Sequence, residues 1–403
     1  MLDGIKTLDD VGDLKGKIAL VRIDINSSIS NGAVQKNGRF TASAITIKEL
    51  VSKGAKVVLL AHQGRPGDGE FRSLQEHAVI LSQEIGSPVL FMPDICGPTA
   101  LAMIKALQEG EVMLLDNVRL LSEEMLELDA ESASYVTHVQ KLASVVDLFV
   151  NDAFSVSHRS QASVIGFNSL LPSFAGRALQ REIVASDRII AHSSNAVFLL
   201  GGVKLKENLE LITGVCKRHK AKKILLCGEL GLLFLKAKGV ALGEPTEQRL
   251  TELGADKFLD IAKTLLLYSE IISTPVDVAA NADGKRREYS VVDLPVNYPF
   301  EDIGSKTIAN YCQIVKNTET VFARGVPGQF ENEQFAKGSI ELGKALTDSR
   351  AFTIVAGGSW STVFNEFKLE QRKISHVSLS GGAFLEYISG KTLPGIEALK
   401  VQV

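Results

Sequence analysis

Short runs rich in valine, isoleucine and leucine alternate with longer amphipathic stretches along the whole chain, the pattern of parallel sheets flanked by helices. The runs at 18–25, 56–61, 112–115 and 148–150 predict strands in the first half. Those at 197–200, 223–227, 320–323, 352–355 and 376–379 predict strands in the second. Most are apolar at every position, as a strand covered on both faces requires. Amphipathic stretches predict helices over 41–52, 125–146 and 178–191. At 403 residues, 45% of them hydrophobic, the chain exceeds what one core usually organises, so two domains are expected. The best break is at 172–177, with the helix at 178–191 joining the halves. The fold class is α/β, two Rossmann-like domains each built on a helix-flanked parallel sheet.

The same composition excludes several functions. Apolar runs such as 196–200 fall far short of the roughly 20 residues that span a bilayer. The first fifteen residues lack the apolar core of a secretory signal, so the expected address is cytoplasmic. A formal net charge of −3 leaves no basic footprint for nucleic acid, so any anionic ligand must be met by a local site. Cys96, Cys216, Cys227 and Cys312 are scattered without CxxC spacing and read as buried fillers.

In open parallel sheets the ligand crevice lies beyond the carboxyl ends of the strands. In the first half those ends run into Asp24-Ile25-Asn26, His62-Gln63-Gly64-Arg65, Asn117-Val118-Arg119 and Asn151-Asp152, with His158-Arg159 just beyond. Three of the seven arginines in residues 1–180 fall there, although this half is net acidic. Converging guanidinium groups suit a small, multiply anionic ligand. The second half has glycine at the equivalent places: Gly201-Gly202-Val203-Lys204, Gly228-Glu229, 325–328, Gly357-Gly358-Ser359 and Ser380-Gly381-Gly382. Glycine lets backbone N–H groups approach phosphates, so these turns point to a nucleotide spread over several loops. The GxxxxGK[ST] pattern of Walker-type ATPases is missing. An arginine-lined site and a glycine-lined site together suggest phosphoryl transfer, which is catalysed mainly by positioning and charge neutralisation.

The stretches VRIDIN, GRFTASAITIKELVSKGAKVVLLAHQGRPG, LLDNVRLLSEE, LFVNDAFSVSHRSQAS, FLLGGVKLKENLELI, FLKAKG, DIGSKTI, FARGVPGQFE, FAKG, GGSWSTV, SHVSLSGGAFLEYISGK and LPGIEAL resemble the phosphoglycerate kinase family in order and spacing. The DINS wording and the sparse glycines near Gly228 resemble its archaeal members. The resemblance implies reversible transfer from 1,3-bisphosphoglycerate to ADP, giving 3-phosphoglycerate and ATP, with Mg2+ accompanying the nucleotide. It implies a 3-phosphoglycerate-binding domain at 1–177, onto which 391–403 packs back, a nucleotide-binding domain at 178–390, and a catalytic cleft between them. On the substrate side it places Asp24, Ile25, Asn26, Arg39, His62, Gln63, Gly64, Arg65, Arg119 and Arg159, with Arg39 reaching the transferring phosphoryl group. On the nucleotide side it places Lys204, Gly228, Glu331, Gly357, Gly358, Ser359 and Trp360. Lys204, Gly358 and Gly382 join Arg39 in the catalytic set. The partners implied are small molecules alone, with a monomer expected and a dimer left open.

Several residues depart from the family pattern. Ser359 stands where most members have an aspartate that contacts magnesium, so the metal ligand is left unassigned. Asn208 stands where many have a second lysine, Arg324 replaces an asparagine, and Cys227-Gly228-Glu229 replaces a run of three glycines. The competing reading is a homologue that is catalytically silent or shifted in substrate, its nucleotide site altered. Asp152 reads as an acid bonding a nearby loop or helix end in preference to a general base, because acyl-phosphate transfer needs no proton abstracted. His158 is left open between ligand and structural roles, whereas His77, His138, His192 and His219 read as structural or solvated. For Trp360, packing competes with stacking on the nucleotide.

Overall fold

The computed structural model describes residues 2, 4–218 and 221–400 of the chain. His219 and the last part of the expected closing segment, 401–403, lie outside the described residues. The first parallel sheet is built from β1 (Ile18–Arg22), β2 (Lys56–Leu60), β3 (Val89–Met92), β4 (Val112–Leu115), β5 (Leu148–Asn151) and β6 (Ser173–Ala175), in the order β3-β4-β2-β1-β5-β6. β1 is interior, with Val21 opposite Leu59 on one side and Val150 on the other. Alternate residues feed two different cores. Ala19, Val21, Val57, Leu59 and Val150 join one cluster, while Leu20, Val58, Leu60, Met113 and Phe149 join the other. This explains runs that are apolar throughout: a strand clad on both faces has no solvent side.

The second half repeats the plan with β7 (Ala196–Leu200), β8 (Lys223–Leu226) and β9 (Ile272–Ser273). A small antiparallel sheet follows, β10 (Asp277–Ala282), β11 (Lys285–Ser290) and β12 (Phe300–Ile303), in the order β11-β10-β12. The chain then adds β13 (Thr320–Arg324), β14 (Phe352–Ala356) and β15 (His376–Ser378), giving a parallel sheet in the order β9-β8-β7-β13-β14-β15.

The described residues fall into two compact units. One takes those of 1–184, 382–384 and 392 onward, the other those of 185–381 and 385–391. The division falls within the helix Arg177–Ala191. The helix Pro394–Lys400 belongs to the first unit, where the Gly395 amide donates to the Ser157 carbonyl at 2.8 Å and Ala398 packs with Ala133, Val156 and Val164. Among the described residues no helix is long and apolar enough to cross a membrane. The four cysteines are free thiols.

One expectation is corrected. Residues 125–146 are not one helix but the short helices Ala130–Ser134 and Thr137–Ala143. The Asp129 carboxylate accepts the Ser132 amide at 2.9 Å and starts a new helix, and Val136, extended at φ −62° and ψ 137°, separates the two. Within the break read at 172–177, Ser173–Ala175 forms an edge strand of the first sheet, paired to β5.

Asp152, just beyond β5, caps the helix Arg177–Ala191. Its Oδ1 accepts the amides of Ala178 at 2.8 Å and Leu179 at 3.4 Å. Burial pushes its carboxyl up to about 7, against hydrogen bonds from these amides and from the Thr46 hydroxyl that pull it down. The folded chain therefore keeps a proton that the unfolded chain releases near pH 4. The stability this group contributes is whole below about pH 4 and lost as pH rises through about 7. Asp152→Asn keeps the Oδ1 acceptor without the titration. Its melting temperature relative to the parent is expected to rise steadily between pH 4 and 8 in thermal denaturation.

Candidate active site

Beyond the ends of β1, β2, β4 and β5 lies a cavity of about 240 Å³ within the first unit. It is lined by Asp24, Asn26, Arg39, His62, Gly64, Arg65, Arg119 and Arg159, together with Asp68, Glu70, Ser155 and Val156. Eight of the ten expected substrate-side residues therefore meet in one place. Ile25 and Gln63 do not line it. Ile25 is buried in the apolar core, and Gln63 is a fully buried brace. Its Oε1 accepts the Ser27 amide at 2.9 Å and pairs with His77 Nε2 at 3.0 Å, while its Nε2 donates to the Ser27 and Glu70 carbonyls. The His77 role is thus structural.

Local hydrogen bonds place each group. Asn37 caps the helix Gly38–Ser52 by accepting the Arg39 amide at 2.9 Å, which sets Arg39 in the first turn. From there Arg39 Nη1 donates to the Asn26 carbonyl at 2.9 Å, and Nε lies 3.3 Å from Asp24 Oδ2. Ser155 also donates to Asp24 Oδ2. Asn26 accepts the Gly64 amide on Oδ1 at 2.8 Å, and among the described residues no hydrogen bond occupies its Nδ2. Gly64 has a positive φ of 64°, and a Cβ there would lie 2.6 Å from the Phe71 backbone nitrogen, so the turn admits only glycine.

Sequence reasoning missed Arg22, the last residue of β1. Its side chain is fully buried behind the cavity. It donates from Nε to Ser163 at 2.9 Å and from Nη1 to its neighbour's carbonyl, and its Nη2 lies 3.2 Å from His62 Nδ1. Ser163 in turn donates to the buried Glu124 at 2.6 Å, which also faces His138 at 3.5 Å. Arginine has only donors, so His62 Nδ1 must be the acceptor and Nε2 must carry the imidazole proton. Burial, then the charges of Arg22, Arg119, Arg39 and Arg159, hold His62 well below its usual value and keep it neutral. The same crowding acts on Arg119, whose value is pulled down to about 10 by burial and by Arg22, Arg159 and Arg65. Arg119 braces the turn by donating to the Gly64 carbonyl. The cavity is thus a cluster of guanidinium groups around a neutral N–H donor, an environment that a multiply charged anion relieves. The only sequence trace of Arg22 was its place in VRIDIN.

The second unit holds a larger cavity of about 420 Å³, lined by Gly202, Gly228, Glu331 and Ser359 with apolar walls from Leu232, Val278, Phe300 and Val326. Beside it, backbone packs on backbone. Gly325 has φ 69°, and a Cβ there would sit 2.1 Å from the Gly201 carbonyl oxygen, so the loops after β7 and β13 touch directly. Lys204 is exposed immediately before the helix Leu205–Lys217, Gly357 and Gly358 open the helix Gly358–Glu366, and Gly382 lies in the first turn of the helix Gly381–Ile388. None of these four lines either cavity. Added Cβ atoms at the three glycines would meet nothing within 4 Å, so the space on that side of each is open. Trp360 is corrected: it is fully buried and stacks on Phe364 with ring centroids 5.8 Å apart, a core residue that cannot touch a nucleotide. Arg324 is buried and donates to Asn208, whose Nδ2 holds the Gly201 carbonyl at 3.0 Å. The two departures from the family pattern are therefore partners. Sequence reading also missed Arg249, Asp302 and Phe300, contributed by a helix and by the antiparallel sheet it did not expect.

Among the described residues no three His, Cys, Asp or Glu side chains group so as to hold a metal ion. The Ser359 hydroxyl is one oxygen at the cavity, which suits a magnesium ion carried in by nucleotide phosphates better than a resident one.

The sequence model described as phosphoglycerate kinase matches residues 8–391. The chain belongs to the phosphoglycerate kinase family. Among its relatives, the phosphoglycerate kinase of Methanothermus fervidus is 39% identical, over 98% of this chain and 96% of that one. That of Methanopyrus kandleri is also 39% identical, over 99% and 98%. The crystal structure of phosphoglycerate kinase from Pyrococcus horikoshii superposes with a TM-score of 0.90 at 33% identity, covering 98% of this chain and 99% of that one. The enzyme from Coxiella burnetii gives 0.81 at 28% identity, covering 98% of each chain. The archaeal relatives agree with the archaeal wording read in the sequence.

The His62 assignment has a direct check. Nitrogen NMR of the imidazole is expected to show a protonated Nε2 and a bare Nδ1, with no titration between pH 8 and 5.5. As pH falls below 6.5 the unfolded chain takes up a proton that folded His62 refuses, so this site loses stability in the acid direction.

Proposed function

We propose that this member of the family catalyses reversible phosphoryl transfer from 1,3-bisphosphoglycerate to Mg-ADP, giving 3-phosphoglycerate and Mg-ATP, and works as a monomer in cytoplasmic glycolysis and gluconeogenesis. The observation that carries the reading is the first-unit cavity, where Arg39, Arg65, Arg119 and Arg159 surround a neutral His62.

In this reading Arg65, Arg119 and Arg159 hold the phosphate that is not transferred, and the His62 Nε2–H donates to it. Asp24 and Asn26 Nδ2 orient the glycerate hydroxyl and carboxyl end. The second-unit cavity takes the nucleoside, with Glu331 at the ribose. Magnesium enters with the nucleotide and neutralises its phosphates. An oxygen of the ADP β-phosphate attacks the acyl phosphorus in line while the bond to the carboxyl oxygen breaks, and the carboxylate leaves without protonation. No phosphoenzyme and no general base are needed, consistent with Asp152 being used as a helix cap. Arg39, already held against Asp24 and the Asn26 carbonyl, neutralises charge on the moving group. Lys204 and the amides of Gly358 and Gly382 do so from the nucleotide side. Catalysis then comes from positioning in a dry site.

Arg39→Ala is expected to lower kcat by about 100-fold or more with an unchanged melting temperature. Steady-state kinetics with near-parental turnover would remove Arg39 from this role. Arg65 is exposed, and among the described residues its side chain makes no hydrogen bond or ion pair, so Arg65→Ala is expected to weaken 3-phosphoglycerate binding by about tenfold in calorimetry while kcat at saturation changes little.

A further inference from the structure

One hydroxyl in the first-unit cavity has no part in the reaction described above. Ser155 is the middle residue of the short turn Phe154–Val156, just beyond β5. Its two neighbours are buried and pinned: Phe154 lies against Phe384 with ring centroids 6.4 Å apart, and Val156 packs with Val164 and Ala398. The Ser157 amide donates to the Phe154 carbonyl at 3.0 Å and the Arg159 amide to the Val156 carbonyl at 2.9 Å, so the backbone on either side of Ser155 is held. Ser155 itself is half-buried and lines the cavity. Its hydroxyl donates to Asp24 Oδ2. A serine has a single O–H to give, so bonded in this way it has no donor left for a ligand and acts through Asp24.

The Asp24 carboxylate is nearly filled. A carboxylate offers about four acceptor positions. Oδ1 accepts the Asn26 amide at 3.0 Å, while Oδ2 takes the Ser155 hydroxyl and lies 3.3 Å from Arg39 Nε. One position is left, on Oδ1. Of the three holds on Asp24, the guanidinium is the one with other work, because a group that turns to the phosphoryl being transferred cannot keep its full grip on the carboxylate. With Arg39 engaged elsewhere and no hydroxyl at 155, Asp24 would be anchored on Oδ1 alone, and the terminal torsion of an aspartate is broad enough to let it swing. Ser155 is neutral, belongs to a different element from Arg39 and takes no part in the transfer. We propose that Ser155 is a positioning residue, holding the Asp24 carboxylate in one orientation while Arg39 engages the phosphoryl group, so that the last position on Oδ1 stays presented to the glycerate hydroxyl. This rests on the reading that the cavity holds the phosphoglycerate. An acceptor held in place discriminates, because a ligand without the hydroxyl leaves it desolvated and unpaired. An acceptor free to turn finds water instead and discriminates little.

The test measures kcat/KM with Mg-ATP for two acceptors, 3-phosphoglycerate and 3-phosphonooxypropanoate, in the parent and in S155A. The second acceptor keeps the phosphate and the carboxylate and lacks only the hydroxyl. The parent is expected to prefer 3-phosphoglycerate by about 10- to 100-fold, the worth of a hydrogen bond to a charged group. In S155A, kcat/KM for 3-phosphoglycerate is expected to fall by about 3- to 10-fold while that for the analogue stays within about twofold of the parent, so the preference shrinks. A loss of packing or of fold lowers both acceptors alike and does not move the preference. If S155A does not fold, S155C, whose thiol is only a weak donor, is expected to show the same one-sided loss. Equal use of the two acceptors by the parent, a preference unchanged in the folded variant, or an equal fall on both acceptors overturns the proposal and leaves the kinase reading standing. Absence of turnover by the parent with either acceptor overturns both.

Discussion

A parallel sheet covered on both faces leaves only its ends free, and the chemistry of this protein is confined accordingly. Ala19 and Val21 go into one core and Leu20 into the other, so β1 has no face on which a polar group could meet solvent before the strand runs out. The first charged side chain after that run, Arg22, is itself still inside. A guanidinium at such a place persists only if its donors are matched. Ser163, a backbone carbonyl and His62 match them, and Glu124 beyond Ser163 supplies the opposite charge. The requirement to satisfy one buried cation thereby fixes the tautomer of His62, and with it the character of the cavity in front.

The two units meet anions by different means. The first gathers side-chain cations, one of which, Arg39, is paired with Asp24 on the same wall. The second offers backbone at its glycine loops, with the buried Arg324 tied to Asn208 near one of them. Side-chain forks suit a compact phosphate whose position must be fixed to a fraction of an ångström. Backbone loops suit an extended group contacted at many points, each weakly.

The strands and the substrate cluster were legible because both leave local marks: unbroken apolar runs, and arginines a few residues beyond them. Val112–Leu115 begins and ends where the sequence reading put it. What was hidden depends on distant partners. The gap between 134 and 137 turns on an Asp129 cap and one extended valine inside an otherwise helical pattern. The edge strands Val89–Met92 and Ser173–Ala175 are too short to show periodicity. Gln63 stands next to the cavity-lining Gly64 and Trp360 next to the cavity-lining Ser359, yet both side chains are buried. Arg22 and Arg249 could not be singled out, because the groups that give them meaning, Ser163 and Glu229, lie 141 residues and twenty residues away.

The contact of Gly325 with the Gly201 carbonyl also bears on how the second unit responds to load. Side chains in contact can yield by changing rotamer, but two backbones in contact have no such slack. Gly228 is pressed against the same place, its missing Cβ only 2.8 Å from the Gly202 nitrogen. Three loops from three strands are thereby wedged into one stiff plate. A push delivered to any one of them is passed to the others at full amplitude, instead of being absorbed where it arrives.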